Sequence, residues 1–344
     1  MRFITGVFEK LLRHPKRIVF PEGSDPRVLR AASRFAGLRL GAPILLGSTE
    51  EIERVAATEG INLGRIGIVD PATASDLTQF CERLDKLRKY RDLGKTATRE
   101  LMTNPHYFAA MMVQYSQADA LVSGVNSFAS TTLRPVIQLI KPLDGAEKIS
   151  SCTVFVMKDT RFGEDGVLLF ADCAVIPEPT VEQLASIAIQ TGKICRQVLG
   201  IKPRVAMLSF STKGSSKQPQ AEKMAAAASL ARSQAEKEHL EIEIDGEMQA
   251  DTALLRDLAE RKAPQSPVAG RANVLVFPDL NAANIAGKLV QHLAGAETYG
   301  EILLGPSKPC AHVSRGASVE EILGVAAIVG LQAVEYRKLY PAQQ

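Results

Sequence analysis

The sequence predicts an α/β protein made of two α/β domains with mainly parallel sheets. Short apolar runs alternate along the chain with segments of helical periodicity, which is typical of parallel βαβ units. Polar turns follow many of these runs, as expected where parallel strands end at one edge of a sheet. The length of 344 residues suits two domains better than one core, and the stretch 141–145 offers a crossing between them.

The first part of the chain is predicted to be rich in helices. Residues 1–17 alternate apolar and charged side chains at helical spacing and indicate an amphipathic helix. The turn PEGSDP precedes a helix predicted over 27–40, and the segment 75–115 is expected to form two or three helices. Four apolar runs are predicted strands: 17–20, 42–46, 66–69 and 118–124.

The remaining chain is predicted to alternate strands and helices. Helices are expected over 180–199 and 219–238, and 245–251 is expected to open another. A final helix should start at Ser318, because Ser318 and Glu321 match the S-x-x-E capping box. Six runs are predicted strands, of which the first two could pair as a hairpin: 152–157, 166–173, 204–209, 241–244, 272–277 and 301–305.

Composition narrows the class of protein. Charged residues make up 23% of the chain, and the net charge of +3 comes from scattered side chains, so no nucleic-acid partner is predicted. No apolar run approaches the roughly 20 residues that span a bilayer, and the N-terminus lacks the cleavage site of a secretory signal. The five cysteines are odd in number and form no CxxC pair, which predicts a cytoplasmic protein without a cysteine zinc site.

Two polar turns are typical of anion sites. Ser314 and Arg315 lie just ahead of the helix predicted from Ser318, whose free N–H groups and dipole attract anions such as phosphate. After the predicted strand 118–124, a glycine is followed by Ser127, Thr132 and Arg134 at a helix start. This combination is what a phosphate site in an open α/β sheet needs, although Ser and Thr cap many helices.

Further candidates lie elsewhere in the chain. Lys213 stands in the hydroxyl-rich turn 211–216, and Asn284 and Lys288 share one helical face directed toward strand ends. The basic cluster 87–91 could bind anions or form a solvated helix face. No G-x-G-x-x-G follows the first strand and no GxxxxGK[ST] occurs, so a phosphorylated or phosphate-like substrate is favoured over a dinucleotide or a P-loop nucleotide.

Six blocks of sequence resemble the phosphate acetyl/butyryl transferase family nearly end to end. They are VSGVNSFASTTLRP, LLFADCAV, VAMLSFSTKGSS, IDGEMQADTA, SPVAGRANVLVFPDLNAANIAGK and KPCAHVSRGASVEE. The resemblance implies two domains of the isocitrate and isopropylmalate dehydrogenase type, with an interdomain cleft, in a homodimer. The domains would be 1–148 with 302–344, and 149–301. It also implies reversible acetyl transfer between CoA and phosphate by direct attack in a ternary complex, with CoA and acetyl-CoA as substrates and no prosthetic group.

Carried over residue by residue, the resemblance makes Ser314 and Arg315 the catalytic pair and Glu321 the candidate base. It makes Arg88 and Arg134 anion- and CoA-binding residues and Arg27 a further arginine of the cleft. Glu321 stands where the family usually has Asp, and it could instead only cap the helix.

Two further departures from the family pattern bear on the site. Ala311-His312 replaces an Asn-Asp pair, and Asn126 stands where His is common. His312 could be a compensating base, although a surface position in a loop is favoured for it.

Two alternatives stay open at this point. One is a phosphate acyltransferase for a longer chain such as butyryl, because one methylene changes specificity by only about 1–3 kcal/mol. The other is a homologue that binds CoA or phosphate without turnover, which the departures at Asn126, Ala311, His312 and Glu321 motivate. A metal-dependent decarboxylating dehydrogenase, suggested by the implied architecture, is disfavoured by the missing cofactor and metal-ligand motifs.

Overall fold

The structure is a computed structural model that describes residues 2–90, 93–143 and 146–339. Arg91 of the predicted basic cluster and residues 144–145 of the predicted crossing lie outside the described residues. The chain forms two compact units, Met1–Pro142 with Pro306–Gln344, and Leu143–Gly305. The predicted domains, 1–148 with 302–344 and 149–301, differ from these units at both crossings and stay a prediction, because a domain is defined by independent folding.

Helices and strands alternate along most of the chain. The first part forms α1 (Arg2–Leu12), β1 (Lys16–Phe20), α2 (Pro26–Gly37), β2 (Gly41–Leu46), α3 (Thr49–Glu59), β3 (Gly67–Val69), α4 (Leu77–Arg88), α5 (Thr98–Thr103), α6 (Pro105–Gln114), β4 (Ala120–Ser123) and α7 (Ala129–Leu139). The next part forms β5 (Ser150–Val156), β6 (Val167–Ala171), α8 (Val181–Ile194), a π-helical turn (Cys195–Leu199), β7 (Arg204–Leu208), α9 (Pro219–Lys237) and β8 (Glu243–Met248). The last part forms α10 (Ala250–Leu254), α11 (Arg256–Lys262), β9 (Val274–Val276), α12 (Leu280–Leu293), β10 (Glu297–Leu304), β11 (Cys310–His312) and α13 (Val319–Leu339).

The first unit is built on a parallel sheet with the strand order β3-β2-β1-β4-β11. Helix α13 packs on α1, α2 and the central strands, and its stretch 322–330 is fully buried. The sequence did not predict β11, because three residues beside a polar turn carry no recognisable strand pattern. Pairing with β4 defines this strand and brings the chain to the carboxyl edge of the sheet.

The second unit contains a mixed sheet with the strand order β10-β5-β6-β9-β7-β8. The pairs β10–β5 and β5–β6 are antiparallel, and the rest are parallel. The predicted hairpin of the runs 152–157 and 166–173 is therefore confirmed. On one face the rings of Phe155, Phe170 and Phe277 pack in sequence, with centroids 4.3 and 5.1 Å apart.

The helix predicted to open at 245 is wrong in its first half. Asp245 to Met248 continue strand β8, where Asp245 is 1% and Glu247 3% exposed. Both carboxylates have protein partners, Lys213 and Arg232 for Asp245 and the turn 211–216 for Glu247. A strand can hold buried acids only when such partners exist, and sequence pattern does not reveal them.

Within the described ranges, no helix is both long enough and apolar enough to cross a bilayer.

Candidate active site

The exposed turn between β11 and α13 presents Ser314 and Arg315. The hydroxyl of Ser314 accepts a hydrogen bond from the N–H of Gly316 at 3.3 Å. The guanidinium carbon of Arg315 lies 4.7 Å from the centroid of the Phe128 ring, a cation–π contact. Phe128 is the residue immediately before helix α7. The contact therefore places the Arg315 charge at the N-terminal end of α7.

Glu321 closes the predicted capping box. Its Oε2 accepts from the N–H of Ser318 at 2.8 Å, and the Ser318 hydroxyl accepts from the N–H of Glu321 at 3.2 Å. The predicted start of the helix is thereby confirmed, since α13 begins at Val319. Of the two roles considered for Glu321, this geometry favours the helix cap.

Arg27 is fully hydrogen-bonded to protein groups. Its Nε and Nη2 donate to the Asp25 carboxylate at 3.1 and 3.0 Å. Nη2 also donates to the Val125 oxygen at 2.8 Å, and Nη1 donates to the oxygens of Arg315 and Ala317 at 2.7 and 3.3 Å. All five N–H groups of the guanidinium are used in this way. Arg27 thus connects the turn after β4 with the turn before α13, and its predicted substrate contact stays a prediction.

The turn after β4 already holds a carboxylate. Glu22, just beyond β1, accepts hydrogen bonds from the N–H groups of Gly124 and Val125 with one oxygen at 2.8 and 3.0 Å. Its other oxygen accepts from the N–H of Asn126 at 2.9 Å. Three successive N–H groups directed at one carboxylate form the kind of concavity that binds anions. The first three N–H groups of the segment predicted to bind phosphate thus hold Glu22.

His312 is buried, so the prediction of a surface loop position is wrong. It belongs to β11, is 7% exposed, and places Nδ1 2.9 Å from the hydroxyl of Thr132. Thr132 donates its own hydrogen to the Ala129 oxygen, which assigns the Nδ1 proton to His312. Burial lowers the pKa of His312 to about 4. Thr132 is 2% exposed and bonded to protein groups, and its predicted substrate contact stays a prediction.

A second buried histidine approaches the same region from α6. Nε2 of His106 lies 3.1 Å from the hydroxyl of Ser127, which was predicted to bind substrate. Nδ1 of His106 is buried and has no hydrogen-bond partner among the described residues. Burial lowers the pKa of His106, and the nearby Glu22 carboxylate opposes that shift. Ser127 is half-buried and held by this contact.

Arg134 lines a cavity of about 450 Å³ within the first unit. Helix α7 contributes Ser130, Thr131 and Arg134, and α6 contributes Tyr107 from the facing side. Tyr107 donates to Oε1 of Gln138 at 2.7 Å, and burial raises its pKa against the opposing charge of Arg134. The residue before α7 supplies no side-chain cap to the helix. A helix end, two hydroxyls and a guanidinium therefore face one cavity, an arrangement suited to an anion.

Arg88 ends helix α4 near the same cavity. Its Nη2 donates to the oxygen of Thr96, one of the lining residues, and its Nε is buried without a partner among the described residues. Arg88 therefore contacts a residue that lines the cavity together with Arg134, although Arg88 itself does not line it. The prediction that Arg88 binds anions or CoA remains a prediction.

In the second unit, Lys213 is paired rather than free. Its Nζ forms an ion pair with Asp245, which also binds Nη1 of Arg232 at 2.9 Å. Burial disfavours the Asp245 carboxylate, yet hydrogen bonding and the charge of Lys213 hold its pKa below the ordinary value. The turn 211–216 is closed by Glu247, which accepts from the Ser211 hydroxyl at 2.9 Å and the Gly214 N–H at 2.7 Å. Lys213 therefore forms a partly buried ion pair, and its predicted anion contact stays a prediction.

Asn284 and Lys288 lie exposed on α12, as the predicted shared helical face requires. Nδ2 of Asn284 donates to the Cys173 oxygen at 3.3 Å, and Nζ of Lys288 donates to Oε1 of Gln291 at 3.3 Å. Burial raises the pKa of Glu301 in β10 to about 7, and the positive charge of Lys288 opposes that rise. Their predicted substrate contacts remain predictions.

Sequence reasoning missed Glu22 and His106 and misplaced His312. Glu22 lies in the PEGSDP turn, whose composition predicts only a turn between a strand and a helix. The signal available was topological, because β1 and β4 are neighbours and their carboxyl ends meet. An acid directly after one strand can then reach the glycine turn after the other.

Comparisons with known proteins show the family of this chain. The family model "Phosphate acetyl/butaryl transferase" matches residues 2–330. The chain belongs to the phosphate acetyl/butyryl transferase family. The family predicted from the six sequence blocks is thereby confirmed.

Individual members of the family are similar over nearly the whole chain. A phosphate acetyltransferase of Thermoanaerobacterium thermosaccharolyticum is 42% identical over 333 residues, covering 97% of this chain and 100% of the relative. A phosphotransacetylase structure from Streptococcus pyogenes has 37% identity and a TM-score of 0.88, covering 97% and 98% of the two chains. The EutD phosphotransacetylase from Staphylococcus aureus has 36% identity and a TM-score of 0.85, covering 96% and 99%.

Proposed function

We propose that this chain is a phosphate acetyltransferase, which transfers an acetyl group reversibly between CoA and inorganic phosphate. One observation carries the proposal. The Arg315 guanidinium lies over Phe128 at the start of α7, and the first turns of α7 present Ser130, Thr131 and Arg134 to a cavity. One exposed arginine beside an uncapped helix start and a second in the second turn of that helix suit a doubly charged substrate such as phosphate.

The chemistry can proceed by direct attack between the two substrates. In one direction a phosphate oxygen attacks the thioester carbonyl carbon, the C–S bond breaks, and CoA leaves as a thiolate that takes up a proton. In the other direction the thiolate attacks acetyl phosphate and phosphate leaves. Both directions pass through a tetrahedral species with a charged oxygen, and no acyl-enzyme or prosthetic group is part of the proposal.

Arg315 and Ser314 are proposed to stabilise the charge that develops on the carbonyl oxygen. Losing one preorganised donor to such an oxygen typically costs about 3–4 kcal/mol. Forming a thiolate at neutral pH from a thiol of ordinary pKa costs only about 2 kcal/mol. Charge stabilisation is therefore the larger requirement, which fits a site where Glu321 is used as a helix cap.

Phosphate-dependent release of CoA from acetyl-CoA, followed with a thiol reagent, tests the proposal. We expect robust turnover by the wild type and a loss of about 10²–10³-fold in Arg315→Ala, with a smaller loss in Ser314→Ala. Arg30→Ala is the matched control, because Arg30 is paired with Glu59 on the outer side of α2. Faster turnover of butyryl-CoA would indicate a longer-chain acyltransferase, and CoA binding without turnover would indicate a non-catalytic homologue.

The assembly and the location of the enzyme belong to the same proposal. The homodimer implied by the family resemblance is tested by measuring the solution mass with light scattering. A cytoplasmic location is supported by the use of CoA as substrate, and fractionation of cells tests it.

A further inference from the structure

Glu22 joins two strand ends of the first unit. It follows Phe20, the last residue of β1, and its half-buried side chain reaches the turn after β4, the neighbouring strand. The carboxylate accepts three successive N–H groups, those of Gly124, Val125 and Asn126, at 2.8–3.0 Å. An ionised carboxylate is an acceptor only, so it matches three converging donors without leaving one unpaired.

The turn that Glu22 holds lies directly against the chain leading to Ser314. Gly124 adopts φ +115°, and a Cβ atom there would stand 2.3 Å from the Val313 oxygen and 2.4 Å from Nδ1 of His312. The Val313 N–H also donates to the Ser123 oxygen at 2.7 Å. A shift of the glycine turn would therefore displace the residues just before Ser314.

A second connection joins this turn to Arg315. Arg27 binds the Val125 oxygen at 2.8 Å and the Arg315 oxygen at 2.7 Å with the same guanidinium. Glu22 thus holds the N–H side of the Gly124–Asn126 segment while Arg27 holds its carbonyl side. The two contacts set the distance between the glycine turn and the turn carrying Ser314 and Arg315.

The charge of Glu22 also bears on where phosphate can bind. Without this side chain, the three N–H donors would form a site for a free anion close to the catalytic turn. With it, a negative carboxylate fills that site and disfavours a second anion there. The first turns of α7 with Arg134, which follow residues 126–128 in the chain, are left as the place for the substrate anion.

We propose that Glu22 is a positioning residue for acyl transfer: as a built-in anion it fills the three-donor turn 124–126, keeps phosphate out of it and holds Ser314 and Arg315 in place. The proposal rests on the proposed function, since it assigns a role in that reaction. Glu22 touches neither substrate, and its effect passes through the turn.

Glu22→Gln and Glu22→Ala test the role with kinetics and chemical rescue. The glutamine keeps the shape but directs an NH₂ group at backbone donors, so kcat should fall by about 10²-fold. Glu22→Ala should lose as much activity, and added formate, a free carboxylate, should restore part of it in a dose-dependent manner. Formate should not restore Arg315→Ala. Glu59→Gln is the matched control, because Glu59 pairs with the exposed Arg30 in the same unit.

The results separate this proposal from the proposed function. Wild-type turnover with unchanged kinetics in both Glu22 variants would overturn the positioning role alone. Loss of activity that formate does not restore, or a Glu22→Gln protein that does not fold, would assign Glu22 a purely structural role and overturn the proposal. A wild type without turnover would overturn the proposed function, and the positioning role with it.

Discussion

The main-chain oxygen of Arg315 accepts a hydrogen bond from Nη1 of Arg27 at 2.7 Å. These residues are far apart in sequence, yet the contact places the first turn of α2 beside the turn that carries Ser314 and Arg315. Because every N–H of Arg27 is used by the protein, its contribution to catalysis should come through the position of that turn.

Replacing Arg27 should therefore lower kcat more than it raises the KM for phosphate. We expect Arg27→Ala to lose about 10²-fold in kcat, since small displacements of reacting groups have effects of that size. Steady-state kinetics at varied phosphate concentration measures the separate changes in kcat and in the KM for phosphate. Arg30→Ala, on the same helix, should behave as the wild type. A raised KM with unchanged kcat would instead indicate direct anion binding by Arg27.

Arg134 should show the opposite pattern. Its exposed guanidinium faces the cavity beside Ser130 and Thr131, so Arg134→Ala should weaken binding of the substrate anion. A charged hydrogen bond contributes about 1.5–3 kcal/mol, which corresponds to a rise of about 10–100-fold in KM. Arg54→Ala, an exposed arginine of α3, serves as the control. An unchanged KM for both phosphate and acetyl-CoA would remove Arg134 from the site.

Glu321 should be replaceable by glutamine. Gln can still accept the Ser318 N–H in a capping box, so Glu321→Gln should keep both the rate and the stability of the wild type. Glu321→Ala should lower the free energy of unfolding by about 0.3–1.5 kcal/mol. Urea unfolding and the CoA-release assay measure the two effects. A large loss of rate in Glu321→Gln at full stability would restore Glu321 as the base.

His312 should make the protein sensitive to acid. Its pKa is about 4 in the folded protein against about 6.5 when unfolded, so the unfolded chain binds more protons between these values. Stability from this group is full above about pH 6.5 and is lost as the pH falls through 4, by roughly 3 kcal/mol. Urea midpoints across this range should fall less steeply in His312→Asn, whose amide can still donate to Thr132. Parallel slopes in both proteins would contradict the assignment.

Glu301 should have the opposite pH dependence. Burial raises its folded pKa to about 7 from an ordinary 4.5, so the folded protein binds more protons between these values. Its contribution is greatest below about pH 4.5 and is lost as the pH rises through 7. Glu301→Gln should therefore raise the free energy of unfolding at about pH 8. The expected gain is roughly 1–3 kcal/mol, less than the full pKa shift implies, because the side chain keeps some contact with solvent. Equal stabilities at that pH would contradict the raised pKa.

Local patterns predicted most of the elements. The predicted strands 17–20 and 204–209 are close to the observed β1 and β7. Short apolar runs and amphipathic helices are both visible in a local stretch of sequence. The capping box at Ser318 was equally visible, since both partners lie within one helical turn. Strand β11 was not predicted because it has only three residues, and the second half of β8 was not predicted because its buried Asp245 and Glu247 do not fit an apolar strand pattern.

The candidate site residues also divide into those that a local pattern could predict and those that depend on the tertiary structure. Ser314 and Arg315 could be chosen from sequence because they lie just ahead of a helix, and Arg134 because it lies in the second turn of another. The backbone N–H groups at helix starts attract anions. Three other turns of the chain are filled by the protein's own carboxylates, and two of these turns, 124–126 and 211–216, belong to segments predicted to bind anions. Glu22 fills the turn at 124–126, Asp172 accepts the N–H groups of residues 174–176, and Glu247 closes the turn at 211–216.

The sequence by itself determined the α/β class, most of the strands and the family, because these depend on local periodicity and on motifs contiguous in the chain. Tertiary structure alone decided which anion-attracting turns stay open. Glu22 lies 102 residues from Gly124, and Lys213 lies 32 from Asp245. Whether an N–H group or a lysine is available to a substrate depends on acceptors brought close by sheet pairing, and strand order is not encoded in any single segment.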